Sequence, residues 1–135
     1  MNTIGNKHTE VTMKATDLRI GNLVLRKDLF DNKQKFKETI VCHNAITACY
    51  PNNDNFQPIP LTEEWLLKFG FEKQENNWKR ICICNDWTYL YWERLAGLEV
   101  SVNKHSIMLP HINSVHQLQN LYYALTNEEL TYDPN

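Results

Sequence analysis

The chain has 135 residues, a length suited to one domain around one buried core. Its 35 Leu, Ile, Val and Phe residues lift it above the composition of disordered chains, and no apolar run approaches the roughly 18 residues of a membrane-spanning helix. Fourteen basic against sixteen acidic side chains leave a formal charge of −2, which excludes the strong basic field of histone-like nucleic-acid binders.

Residues 1–12 show neither periodicity nor an apolar cluster. They read as a flexible leader without the apolar stretch of a signal peptide, and Met13 could serve as an alternative start. Gly21-Asn22 marks a tight turn feeding a strand from Leu23, because both residues tolerate positive φ. A polar connection over residues 31–35 leads to a second strand over residues 36–43, which residues 44–50 are expected to extend after a kink. Residues 51–60 hold three prolines and three asparagines and read as a loop.

Thr62 then caps a short helix with Glu63 and Glu64 in its first turn, where the helix dipole favours anions, and Gly70 stops it. From Trp78 the apolar period changes to two. Residues 78–84 and 87–93 form a hairpin about Asn85-Asp86, a third strand follows over residues 98–102, and Asn103-Lys104 turns into a fourth over residues 106–109. Ser114 and Gln117 make an S-x-x-Q capping box before Val115, Leu118, Leu121, Tyr122 and Leu125, spaced as the buried stripe of a helix. Leu118, Leu121 and Leu125 are therefore expected in the core, with Asn127 as the helix stop and residues 128–135 as a frayed acidic tail. The succession of periods predicts an α+β fold over residues 13–127, read as one domain: a small N-terminal sheet, a short helix, a four-stranded antiparallel meander and a C-terminal helix on one of its faces.

Four cysteines (Cys42, Cys49, Cys82 and Cys84) without an export signal point to partly buried free thiols in a reducing cytosol. Cys82 and Cys84 would share a strand face, but C-x-C and C-x₆-C do not match the C-x₂₋₄-C knuckle of structural zinc. His111 and His116 do not share a helical face, and no H-E-x-x-H occurs. Neither metal nor cofactor is expected. Four glycines at 5, 21, 70 and 97 cannot build a phosphate cradle, and no nucleophile elbow is present. Cys42 and His43, as strand neighbours, would face opposite ways, so no catalytic residue is nominated.

The densest unusual feature is aromatic. Trp87, Tyr89 and Tyr91 alternate along one strand face, Leu90 and Trp92 along the other, and Lys79 and Arg80 lie on the facing strand. Aromatics interleaved with Arg or Lys suit either a protein-interface hot spot or a stacking platform for single-stranded nucleic acid, unless the rings pack under a helix or the N-terminal strands. Lys33, Lys35 and Lys37 form a second basic cluster, too small for strong phosphate attraction and expected to be a solvated loop.

Three stretches carry a resemblance: LRIGNLV over residues 18–24, PIPLTEEWLLKFGF over residues 58–71, and LPHINSVHQLQNLYYAL over residues 109–125. Together they resemble a group of short uncharacterised Bacteroidetes proteins, often encoded in prophages and other mobile elements. The aromatic hairpin is outside the resemblance. It implies context only, a bacterial or phage cytoplasmic accessory protein; by analogy with small phage accessory proteins that block host or CRISPR-type defence components, a bacterial protein or ribonucleoprotein is the expected partner. A non-enzymatic protein binder is the expected function. The rival is a small single-stranded nucleic-acid binder acting through Lys79, Arg80, Trp87, Tyr89 and Tyr91, which the acidic charge balance disfavours.

Overall fold

Gly21 takes a left-handed φ of 97°, which reverses the chain into strand β2 (Leu23–Lys27). Buried Asn22 fixes the turn, its side-chain oxygen accepting the Arg19 N–H at 2.6 Å. The computed structural model describes residues 13–33, 35–49, 52–84 and 87–133, so the leader at 1–12 and the Asn85-Asp86 turn lie outside the described residues. Residues 13–127, read as one domain from the sequence, divide between Ile59 and Pro60 into two compact units.

In the first unit β2 pairs antiparallel with β3 (Phe36–Ile40) on one side and with β5 (Phe56–Gln57) on the other. A two-stranded ladder joins β1 (Met13–Lys14) to β4 (Asn52–Asn53). Met13, Ala15, Leu18, Val24, Val41, Ala45 and Phe56 form the core. The Pro- and Asn-rich stretch is thus not merely a loop. It supplies β4 and β5 because Phe56 is driven into this core, with the Arg26 guanidinium 5.2 Å from its ring centroid.

The segment after β3 also departs from expectation, being a helix, α1 (His43–Cys49), rather than a continued strand. Pairing ends when Val41 donates to the Asn22 carbonyl at 2.8 Å; the Cys42 carbonyl then accepts the Ile46 N–H at 3.2 Å. Ala45 and Ala48 favour helix, and Ala45 enters the core with Ile46 packed beside it. Cys42, just before this helix, is exposed, and the backbone N–H groups of Ala45 and Asn44 hold its thiol below the ordinary cysteine pKa. At neutral pH iodoacetamide should therefore alkylate Cys42 faster than Cys82 or Cys84, with the advantage shrinking as pH rises and every thiol ionises; peptide mass mapping of a time course would show equal rates if the N–H contacts were irrelevant.

The second unit begins with α2 (Glu63–Lys68), capped as expected by Thr62, whose hydroxyl accepts the Trp65 N–H at 3.3 Å. The antiparallel meander follows, with β7 (Lys79–Cys82), β8 (Thr88–Glu93), β9 (Gly97–Val102) and β10 (His105–Leu109). It has five strands rather than four, because β6 (Glu72–Lys73) adds to β7 through a tight turn at residues 75–77 where Asn76 and Asn77 both take left-handed φ. Asn103 and Lys104 (φ 50° and 70°) make the predicted two-residue turn between β9 and β10.

Leu90, Trp92 and Leu98 are buried on one sheet face; Val115 and Leu118 of α3 (Val115–Thr126) are fully buried too. Gln117 accepts the Ser114 N–H at 3.1 Å, and Asn127 ends the helix in the left-handed conformation. Leu121 is only half-buried and Leu125 is exposed, because the buried stripe is confined to the first half of the helix. Residues 128–133 are not frayed. Leu130 is buried, the Asp133 N–H donates to the Lys68 carbonyl at 3.0 Å, and the Tyr132 ring meets Trp65 edge-on. Among the described residues no helix is long and apolar enough to cross a membrane.

Candidate functional site

Opposite residues in an antiparallel pair share a face, so register decides what stands beside the strand-β8 tyrosines. One row across the sheet runs Glu72, Arg80, Tyr91, Glu99, Met108, and the next runs Cys82, Tyr89, Ser101, Ser106. Both rows lie on the face away from Leu90 and Trp92, and their side chains range from half-buried to exposed. The alternation read from the sequence therefore holds, and the tyrosine face is the open one.

On this face Arg80 lies over the Tyr89 ring. Its guanidinium carbon lies 4.8 Å from the Tyr89 ring centroid, and its hydrogen bond to Tyr91, with Glu72 nearby, raises its already high pKa. Tyr89 and Tyr91 stand 5.8 Å apart, and Trp78 meets Tyr91 edge-to-face at 6.4 Å and 83°. A recess of about 420 Å³ opens here, lined by Gln74, Glu75, Trp78, Arg80, Tyr91 and Glu99. It offers flat apolar rings, a guanidinium fork and carboxylate acceptors in one place. That combination recognises mixed apolar and polar groups by stacking and charge-assisted hydrogen bonds.

One residue grouped with this cluster in the sequence, Lys79, stands on the other face. Lys79, paired with Trp92, belongs to the buried face and is only 4% exposed. Its ammonium donates to the Asn77 carbonyl at 2.9 Å and pairs with Glu63 at 3.3 Å, holding the Glu63 carboxyl below the usual range. Lys79 is thus a satisfied structural cation and not available to a ligand on the open face. Trp87 precedes the β8 ladder and is 64% exposed, its carbonyl accepting the Asn103 N–H at 2.8 Å.

Trp78, Gln74, Glu75 and Glu99 join the site without having been anticipated. Glu99 was legible, since the alternation of β9 puts it opposite Tyr91. Trp78 enters from the β6–β7 turn, whose left-handed asparagines leave no periodic signal. In the first unit the connection over residues 28–33 is organised by Asp28, whose carboxyl is held below its usual range by Lys37 at 2.8 Å and by the Phe30 N–H. Lys37 is thereby engaged, while Leu29 and Phe30 are left exposed.

Among the described residues no three His, Cys, Asp or Glu side chains gather to hold a metal ion. Cys42, Cys82 and Cys84 are outside any disulfide, and all three are exposed rather than partly buried. Cys84 takes a φ of 63°, which breaks the strand alternation expected to align it with Cys82, and its thiol donates to the Leu125 carbonyl at 3.2 Å. Fold and site together define an α+β chain whose second unit presents an open aromatic sheet face. No family model, curated protein or solved structure matches the chain.

Proposed function

We propose that the protein is a non-enzymatic binding protein that engages a partner protein through the open face carrying Trp78, Arg80, Tyr89 and Tyr91. The observation that carries this reading is Arg80 over the Tyr89 ring beside Tyr91 and Trp78, at a recess of about 420 Å³. Side chains already ordered lose little rotamer entropy on binding, and Tyr, Trp and Arg dominate interface hot spots. A bacterial protein or ribonucleoprotein as the partner, and an inhibitory accessory role, belong to the same reading by analogy with small phage accessory proteins.

A single-stranded nucleic acid is the competing ligand, since a guanidinium on stacked rings is also a base-stacking platform. The charges argue against it. Glu72, Glu75 and Glu99 stand with Arg80 on or beside this face, and Lys79 is spent on the other one. Phosphates would meet carboxylates there.

Affinity capture from bacterial lysate, with and without nuclease and compared with Tyr91→Ala, tests the reading. One stoichiometric protein should be retained after nuclease, little affected between about 50 and 200 mM salt, and lost with Tyr91→Ala while thermal unfolding stays near that of the parent. Capture of RNA or DNA alone, weakening steeply over that salt range, would replace it by the nucleic-acid reading.

A further inference from the structure

Strand β10 is an edge strand, and unlike the other edges it carries no device against further pairing. At the opposite edge of the same sheet, β6 is two residues long and both are charged. In the three-stranded sheet, edge β3 carries Lys37 and Glu38, and edge β5 is two residues long. By contrast β10 reads His-Ser-Ile-Met-Leu over five residues, without a lysine, a carboxylate, a proline or a positive φ. Its side chains are largely in solvent: Ile107 is 66% exposed and Met108 41%, with Val102 of the neighbouring strand at 51%. Ile107 and Val102 lie on the Leu90 face and Met108 on the tyrosine face, so apolar surface is exposed on both sides of this border of the sheet.

The main chain there has a defined polarity. The two-residue turn at Asn103-Lys104 makes Val102 and His105 a hydrogen-bonded pair. Alternation then makes Ile107 with Val100 and Leu109 with Leu98 hydrogen-bonded pairs as well. Ser106 and Met108 consequently direct their N–H and C=O groups away from β9, at the edge.

We propose that β10 pairs antiparallel with β10 of a second copy of this chain, about a two-fold axis at Ile107, joining the two five-stranded sheets into one. In that register Ser106 faces Met108 of the second copy and exchanges both main-chain hydrogen bonds with it, as the outward groups require. Ile107 faces its own counterpart in the closer, non-hydrogen-bonded position, and His105 faces Leu109. No charged pair is opposed, so the edge is complementary to itself. A slip by one residue would oppose outward groups to inward ones and forfeit the bonds. The axis is perpendicular to the sheet, so both open aromatic faces point the same way. The proposal does not depend on what those faces bind.

The contact is one short strand pair, smaller than a permanent dimer interface, so association is expected to be concentration-dependent. Sedimentation equilibrium of the full chain from about 10 µM to about 1 mM should show a rise from 16.0 kDa toward twice that mass. Ile107→Lys, which opposes like charges at the axis, should weaken the dimer more than about tenfold. Ser106→Pro should do the same by removing an outward N–H that the β9 ladder does not use. Circular dichroism checks that both variants keep the fold. Ile107→Cys, with the four native cysteines replaced by Ser, should form an intermolecular disulfide on mild oxidation, whereas Leu109→Cys, which faces His105, should not. A chain that stays monomeric at the top concentration, a dimer indifferent to Ile107→Lys and Ser106→Pro, or equal cross-linking at 107 and 109 would each overturn the proposal.

Discussion

Leu118→Ala is expected to cost about 2–5 kcal/mol of folding stability, whereas Leu125→Ala, seven residues along the same helix, should cost less than about half as much. Leu118 is fully buried on the first half of α3, together with Val115, Leu90 and Leu98 in the same unit. Its truncation removes apolar area from the core and leaves a cavity that its neighbours fill only in part. Leu125 keeps 40% of its surface in solvent, so its truncation removes a smaller part of what folding had taken from water and leaves no closed cavity. Urea unfolding of the two variants followed by tryptophan fluorescence, which includes buried Trp65 and Trp92, measures both. A Leu125→Ala loss as large as that of Leu118→Ala would mean that the distal half of α3 is covered in solution.

That contrast marks what a periodic signal conveys. The spacing of Leu118, Leu121 and Leu125 shows that they share a helical face. It does not show how far the rest of the molecule extends along that face. Features decided by neighbours in sequence were legible: Thr62 and Ser114 with Gln117 as caps, Asn127 as the helix stop, and Asn103-Lys104 as a two-residue turn. The same holds for the alternation that sets Tyr89 and Tyr91 against Leu90 and Trp92. Two-residue strands carry no period at all. Strands β4 and β5 exist because distant segments offer them partners, β1 and β2, while β6 folds back on β7 through a turn without a period, and composition alone reads such segments as loops.

In the candidate site, alternation also contained the answer for Lys79. Adjacent to Arg80 in a strand, it must face the other way, and it is buried beside Trp92 with Glu63 as its partner. Grouping the two by charge overrode the geometry. Trp78 could not be placed by the same rule, because it enters the site from a turn rather than a strand.

Ending the chain after Asn127 should destabilise the second unit by more than any single exposed substitution, although residues 128–135 read as an acidic tail. Leu130 is buried, and Leu130→Ala alone is expected to cost about 2–5 kcal/mol. Tyr132 sets its ring edge-on to Trp65 at 5.8 Å and to Phe69 at 6.0 Å, and each such pair contributes about 0.5–1.5 kcal/mol beyond its area. The Asp133 N–H satisfies the Lys68 carbonyl at the last turn of α2, one of the acceptors that a helix C-terminus leaves without an internal partner. Helix α2 spans only Glu63–Lys68, too short to persist without packing, so the tail holds in place the helix whose Glu63 neutralises buried Lys79. Loss of the tail is thus expected to loosen α2 and, through Glu63, the β7 side of the sheet. Hydrogen exchange should report this as faster exchange in residues 63–71 and 79–82 of the truncated chain, with β9 and β10 unchanged. Protection in residues 63–71 equal to that of the full chain would show that α2 is held by the sheet alone.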